Sequence, residues 1–244
     1  MFARLARLMG EDQPFYGLQA RGVDNYEEPF ESVTEMASQY LSEIRMVQPL
    51  GPYFIGGTCT GGVVAYEMAQ QLLSQGETVA LAIMDSSHPS SEAGYLKFTS
   101  SFWRLGHFTS RATTYVRELR KLSVTDWLGF LRTKLGNATN GMRSSNNRSH
   151  EKTDFQIRAI YRKNMQAVAR YSVKEYPGTL LNIVASKRLI GSGIVDTRRC
   201  WDSLAMDGGR AEFIAAIDSG QLFVTPHVEV LARLLAEFSE ELAK

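Results

Sequence analysis

Residues 51–72 read GPYFIGGTCTGGVVAYEMAQQL, and one nucleophile, Cys59, stands at the centre of Gly57-Thr58-Cys59-Thr60-Gly61. The spacing is G-x-C-x-G, and it falls between an apolar run, PYFIGG, and a helix-forming run, GGVVAYEMAQQLLSQG. A chain that reverses sharply from strand to helix presents the residue at the reversal on a strained backbone. Small residues two positions before and after let the two limbs pass closely. The following helix turns its N-terminus toward the thiol, so its partial positive charge favours a thiolate and a developing oxyanion. The backbone N–H of Thr60 is then a natural oxyanion donor. A buried structural cysteine in a tight turn is the alternative that residue type alone leaves open.

Asp85 ends the apolar run TVALAIMD. A carboxylate just past an apolar strand stands where open α/β sheets place their sites, although a strand-end capping aspartate has the same signature. The histidines are His88, His107, His150 and His227. His88 follows Asp85 by three residues and is a candidate general base, with an ordinary place in a polar loop as its alternative. Cys59 and Cys200 are the two cysteines. They give no disulfide framework, and a reducing cytoplasm is the default setting.

The elements that must position these groups follow from hydrophobic spacing. Residues 2–9 carry helical periodicity, PFYGLQA (14–20) strand character, and residues 32–48 a helical pattern with Ser32 as N-cap. PYFIGG (52–57) has no polar alternation, which predicts a central strand, and residues 61–76 predict a helix capped at Gly76. Strands are predicted at 78–86, 179–186 and 211–217, and a closing helix at 226–244 with Pro226 in its first turn and Thr225 as N-cap. Strands alternating with helices imply an α/β fold with a mostly parallel, doubly wound sheet and helices on both faces. The region from about 90 to 175 reads as an inserted helical lid. Within it, the polar stretch 136–152 has the composition of a mobile segment. The 244 residues, 44% apolar, suit one domain. A formal net charge of +1 gives no argument for a nucleic-acid partner, and no apolar run approaches the roughly 20 residues of a membrane helix.

The stretch GPYFIGGTCTGGVVAYEMAQQLLSQGETVALAIMDSSHP resembles the thioesterase domains that end nonribosomal peptide and polyketide synthases, and their stand-alone type II relatives. DQPFYGLQARG, YSVKEYPGTLLNIVAS, DTRRCWDSLAMDGG and TPHVEVLARLL resemble further segments of that family, so the likeness covers nearly the whole chain except the lid. The resemblance implies an α/β-hydrolase fold and an acyl-enzyme mechanism on thioesters carried by the phosphopantetheine arm of an acyl or peptidyl carrier protein, with no cofactor bound to the domain itself. Cys59 matches the nucleophile position, usually serine, and Asp85 matches the triad acid.

Three departures from the family pattern stand out. The family histidine lies in a turn eight residues before the histidine of its PHV segment, and here that position is Ser219. Serine is no general base at neutral pH. His88 is one substitute, and His227, where the family has a structural histidine, is another; His107 and His150 fall in the lid. The family also begins with an apolar strand and an oxyanion loop, and this chain begins just after them, at MFARLARLMG. The missing strand would lie between the segments matching 14–20 and 52–57, so another strand is expected to fill that gap if the chain folds alone. Finally, cysteine replaces serine at the nucleophile. A thiol ionises nearer neutrality than a hydroxyl, so acylation needs less help from a base, whereas deacylation by water still needs one. The expected readings are therefore an acyl hydrolase or acyltransferase, or a degenerate or truncated domain without turnover that docks a carrier or serves as a structural module. The basic, aromatic stretch 103–136 is a candidate surface for an acidic carrier, with a solvated helix face as its alternative.

Overall fold

The computed structural model describes residues 2–23, 27–89, 148–187 and 197–242, with the backbone alone at 148–155, 197, 199 and 242. Two compact units make up the chain: residues 1–93 with 160–244, and residues 94–159. The first carries the sheet and Cys59, Thr60, Asp85, His88 and Ser219. The described part of the second is the opening of one helix.

Among the described residues, four strands form the sheet: β1 (Tyr53–Thr58), β2 (Val79–Met84), β3 (Leu180–Ala185) and β4 (Gly209–Ile214). Their order is β1-β2-β3-β4 and every pairing is parallel. The helices among the described residues are α1 (Ala3–Leu8), α2 (Val33–Val47), α3 (Thr60–Ser74), α4 (Arg148–Arg170) and α5 (His227–Leu242). Alternate side chains of a strand face opposite sides of its sheet, and β2 shows this plainly because all its residues are buried. Val79, Leu81 and Ile83 pack with α2 and α3, while Ala80, Ala82 and Met84 pack with α1 and α5. A strand covered on both faces reads as an uninterrupted apolar run, which is how TVALAIM reads.

The helix ends follow from their capping chemistry. Ser32 Oγ accepts the Glu35 N–H at 3.2 Å at the start of α2. Gly76, just past the end of α3, takes a φ of 82° that a side chain would disfavour.

Several elements depart from the sequence expectation. Residues 14–20 form no strand, and Phe15, Tyr16 and Leu18 are exposed. Strand propensity needs a ladder partner to become a strand, and none lies beside this segment among the described residues. β1 is the edge of the sheet, paired only with β2 among the described residues, where an apolar run predicted a central strand. Apolar composition reports burial of a strand's faces and is silent about its edges. No other described strand fills the expected gap beside β1. The closing helix begins at His227, one residue past Pro226, and the Thr225 hydroxyl donates to Glu229 Oε1 at 3.2 Å, so Thr225 is not its cap. Residues 148–152, the tail of the polar stretch expected to be mobile, are helical in α4. The rest of that stretch, and residues 90–147 of the expected lid with its basic aromatic stretch and His107, lie outside the described residues. So does the side chain of His150.

Candidate active site

β1 and β2 run in register with Thr58 beside Met84. The next residues, Cys59 and Asp85, therefore leave neighbouring strands at the same end of the sheet. Both take positive φ, 54° and 48°, and they are the only non-glycine residues to do so among the described ones. Such backbone costs about 1–3 kcal/mol per residue and persists only where the surroundings enforce it.

The enforcement at Cys59 is visible. The residue caps α3 with ψ of −128°, and its side chain is exposed. A Cβ on Gly57 would lie 2.1 Å from the Gly61 carbonyl oxygen, and one on Gly62 would lie 2.6 Å from Ser86 Cβ. Only glycine fits at either place, which is the physical content of the G-x-C-x-G-G spacing. The Cys59 carbonyl accepts two hydrogen bonds, from Ser86 Oγ at 2.5 Å and from the Gly62 N–H at 3.1 Å. Ser86 is fully buried, and its own carbonyl accepts Trp201 Nε1 at 2.8 Å. Thr60 opens α3, so its N–H has no acceptor within the helix. The Cys59 thiol is hydrogen-bonded to no described residue.

Asp85 is 2% exposed and pairs with an equally buried guanidinium. Its Oδ1 accepts from Arg198 Nη1 and from the Ala185 N–H at 3.1 Å, and Arg198 Nη1 also donates to the Ala185 carbonyl at 3.1 Å. Asn182 holds the Arg198 segment from β3, its Nδ2 donating to the Arg198 carbonyl at 2.8 Å and to Asp202 Oδ1 at 2.6 Å. The carboxylate that the resemblance offers as a triad acid is thus bound to a cation and a backbone amide, and it directly precedes Ser86, whose hydroxyl holds the Cys59 carbonyl.

The base candidates are placed differently. His88 lays its ring on Trp201, centroids 5.3 Å apart, and burial pushes its pKa below the ordinary imidazole value. It reaches the Cys59 loop through Trp201 and Ser86, not through a hydrogen bond to the thiol. Ser219 sits in the turn after β4, two strands along the sheet from β2, and its hydroxyl makes no hydrogen bond among the described residues. His227 Nε2 is 3.1 Å from the Ala215 carbonyl, fastening the start of α5 to the chain leaving β4.

A family model for the thioesterase domain matches residues 1–101, the segment that carries the elbow, Cys59 and Asp85. That segment belongs to the thioesterase domain family. Its relatives bear out the assignment. A dimodular nonribosomal peptide synthase of Bacillus subtilis is 46% identical over 88 residues, covering 36% of this chain and 4% of the synthase. The polyketide synthase PksR of the same organism is 46% identical over 80 residues, covering 33% of this chain and 3% of that protein. The chain thus spans a small fraction of the curated relatives it matches. Among solved structures, a four-domain nonribosomal peptide synthetase bound to AMP and glycine superposes with a TM-score of 0.65 at 23% identity, covering 97% of this chain and 18% of that one. The RedJ thioesterase from the prodiginine pathway of Streptomyces coelicolor gives 0.64 at 18%, covering 97% and 80%. These likenesses show the thioesterase fold, an α/β-hydrolase arrangement, across nearly the whole chain.

Sequence reasoning missed Ser86, Arg198 and Trp201. Ser86 has a readable trace, since it directly follows Asp85. Arg198 and Trp201 reach Asp85 and Ser86 from a distant loop, and no spacing rule connects residues more than a hundred positions apart.

Proposed function

We propose that this chain is a thioesterase-type acyl-transfer domain that uses Cys59 as its nucleophile on thioesters borne by the phosphopantetheine of an acyl or peptidyl carrier protein. The observation that carries this is the exposed Cys59 held at a φ of 54° between β1 and the N-terminus of α3. The Cys59 sulfur, as thiolate, attacks the thioester carbonyl carbon, and the carbonyl electron pair moves onto oxygen. Collapse of that oxyanion breaks the bond to the pantetheine sulfur, which leaves as thiolate and takes up a proton. The products are acyl-Cys59 and free pantetheine thiol. The Thr60 N–H, at the positive end of α3, is the group that stabilises the oxyanion. Release then requires water, an internal nucleophile or an external thiol to attack acyl-Cys59 and lose its proton. The synthase context of the relatives supports a carrier domain as partner. Two unbridged cysteines fit a reducing cytoplasm.

A degenerate domain without turnover is the alternative, and two observations favour it: serine at position 219 and a buried Arg198 bound to Asp85. Intact-protein mass spectrometry after mixing with an acyl pantetheine thioester separates the two. The expected result is an acyl adduct on the parent and none on Cys59→Ala. An unmodified parent together with intact thioester would leave the degenerate domain standing.

A further inference from the structure

The nucleophile loop contains a constraint that acts on the oxyanion donor, not on the thiol. The Cys59 carbonyl and the Thr60 N–H belong to one planar peptide unit, and in a trans unit they point in opposite directions. Whatever fixes the carbonyl therefore aims the N–H. The carbonyl is fixed from two sides, by Ser86 Oγ at 2.5 Å and the Gly62 N–H at 3.1 Å. The second bond is supplied by α3 itself. The first comes from another strand end, through a hydroxyl that is fully buried and so does not exchange its partner for water.

Ser86 is in turn held at both ends. Its N-terminal neighbour Asp85 donates its N–H to the Ile183 carbonyl at 2.7 Å, and its own carbonyl accepts Trp201 Nε1 at 2.8 Å. Trp201 is 0% exposed and packs its ring 4.9 Å from that of Tyr66. Gly62 leaves the space that the Ser86 side chain fills. We infer that Ser86, backed by Trp201, is a positioning residue that aims the Thr60 N–H at the oxyanion formed when Cys59 is acylated. The inference rests on Cys59 being the acylated nucleophile.

Two reactions of the same thiol test it. Acylation by an acyl pantetheine thioester passes through an oxyanion. Alkylation by iodoacetamide displaces iodide and does not, so it reads thiol ionisation and access alone. Removing an oxyanion donor outright costs about 10²–10³ in rate, so loosening its aim in Ser86→Ala is expected to slow acyl-adduct formation roughly 10–100-fold. The pH profile of alkylation should stay within about twofold of the parent, since the thiolate itself is untouched. Trp201→Phe keeps a ring in the core and removes only the Nε1 donor; it should show the same split, smaller, and it carries the test if Ser86→Ala does not fold. A parent that acylates while Ser86→Ala, or a folded Trp201→Phe in its place, acylates equally fast would overturn the role of Ser86 and leave Cys59 chemistry intact. Acylation and alkylation falling together would also overturn it, because the elbow as a whole would then have loosened. A parent that is alkylated at Cys59 but never acylated would remove the nucleophile assignment and this inference with it.

Discussion

At the scale of single residues, the Asp85–Arg198 pair separates two uses of one carboxylate. A buried pair that loses one member leaves an uncompensated charge, which costs about 3–5 kcal/mol. Arg198→Met should therefore destabilise the fold by that order, read as a shift in urea midpoint, because Asp85 and Arg198 are both almost fully inaccessible. If Asp85 served mainly as a triad acid with a removable partner, the same variant would leave stability near the parent's and raise acyl release. His88 gives a second residue-scale prediction. Burial lowers its pKa, so the unfolded chain binds the proton more tightly than the folded one. Stability from this group is fully present above the unfolded value of about 6.5 and is lost as pH falls below it. Urea midpoints measured at falling pH should decline through that window, and His88→Gln should flatten the decline.

At the scale of elements, the strand–elbow–helix unit depends on two glycines more than on the residues that do chemistry. Gly62→Ala would drive a methyl to 2.6 Å from Ser86 Cβ, a contact that must be relieved by moving α3 or the chain after β2. Overpacking of this kind costs roughly 1–3 kcal/mol, and here the displaced group is the one that holds the Cys59 carbonyl. The expected outcome is a lower melting temperature together with slower Cys59 acylation, measured on the same preparation. Gly61→Ala makes the matching control, because a Cβ there meets nothing within 4 Å. The G-x-C-x-G spacing was legible in the sequence as a turn signature, with Gly57 and Gly61 as its small residues. Which glycine is sterically required, and against what, was not, since Ser86 comes from another strand end.

At the scale of the whole molecule, the sheet divides the core of the first unit into two clusters. Leu72 of α3 belongs to one and Leu231 of α5 to the other, and both are fully buried. Leucine-to-alanine changes in a packed core cost about 2–5 kcal/mol each. Because the two residues share no cluster, the double variant should lose the sum of the single losses to within about 0.5 kcal/mol in urea unfolding. A marked shortfall or excess would show that the faces relax together through the sheet.

Local and periodic features can be read from the chain alone: the two-faced burial of β2, the Ser32 cap, the Gly76 terminus, the parallel alternation and the Cys59 elbow between strand and helix. Each is written in neighbouring residues, where steric and hydrogen-bonding rules act over a few positions. Tertiary structure alone decided which strand is an edge, because an apolar run records covered faces and not paired edges. It likewise decided that residues 14–20 form no strand, that Arg198 meets Asp85, and that Ser86, itself held by Trp201, binds the Cys59 carbonyl. Those contacts join residues far apart in the chain, and only the folding of the sheet brings their partners within hydrogen-bonding distance.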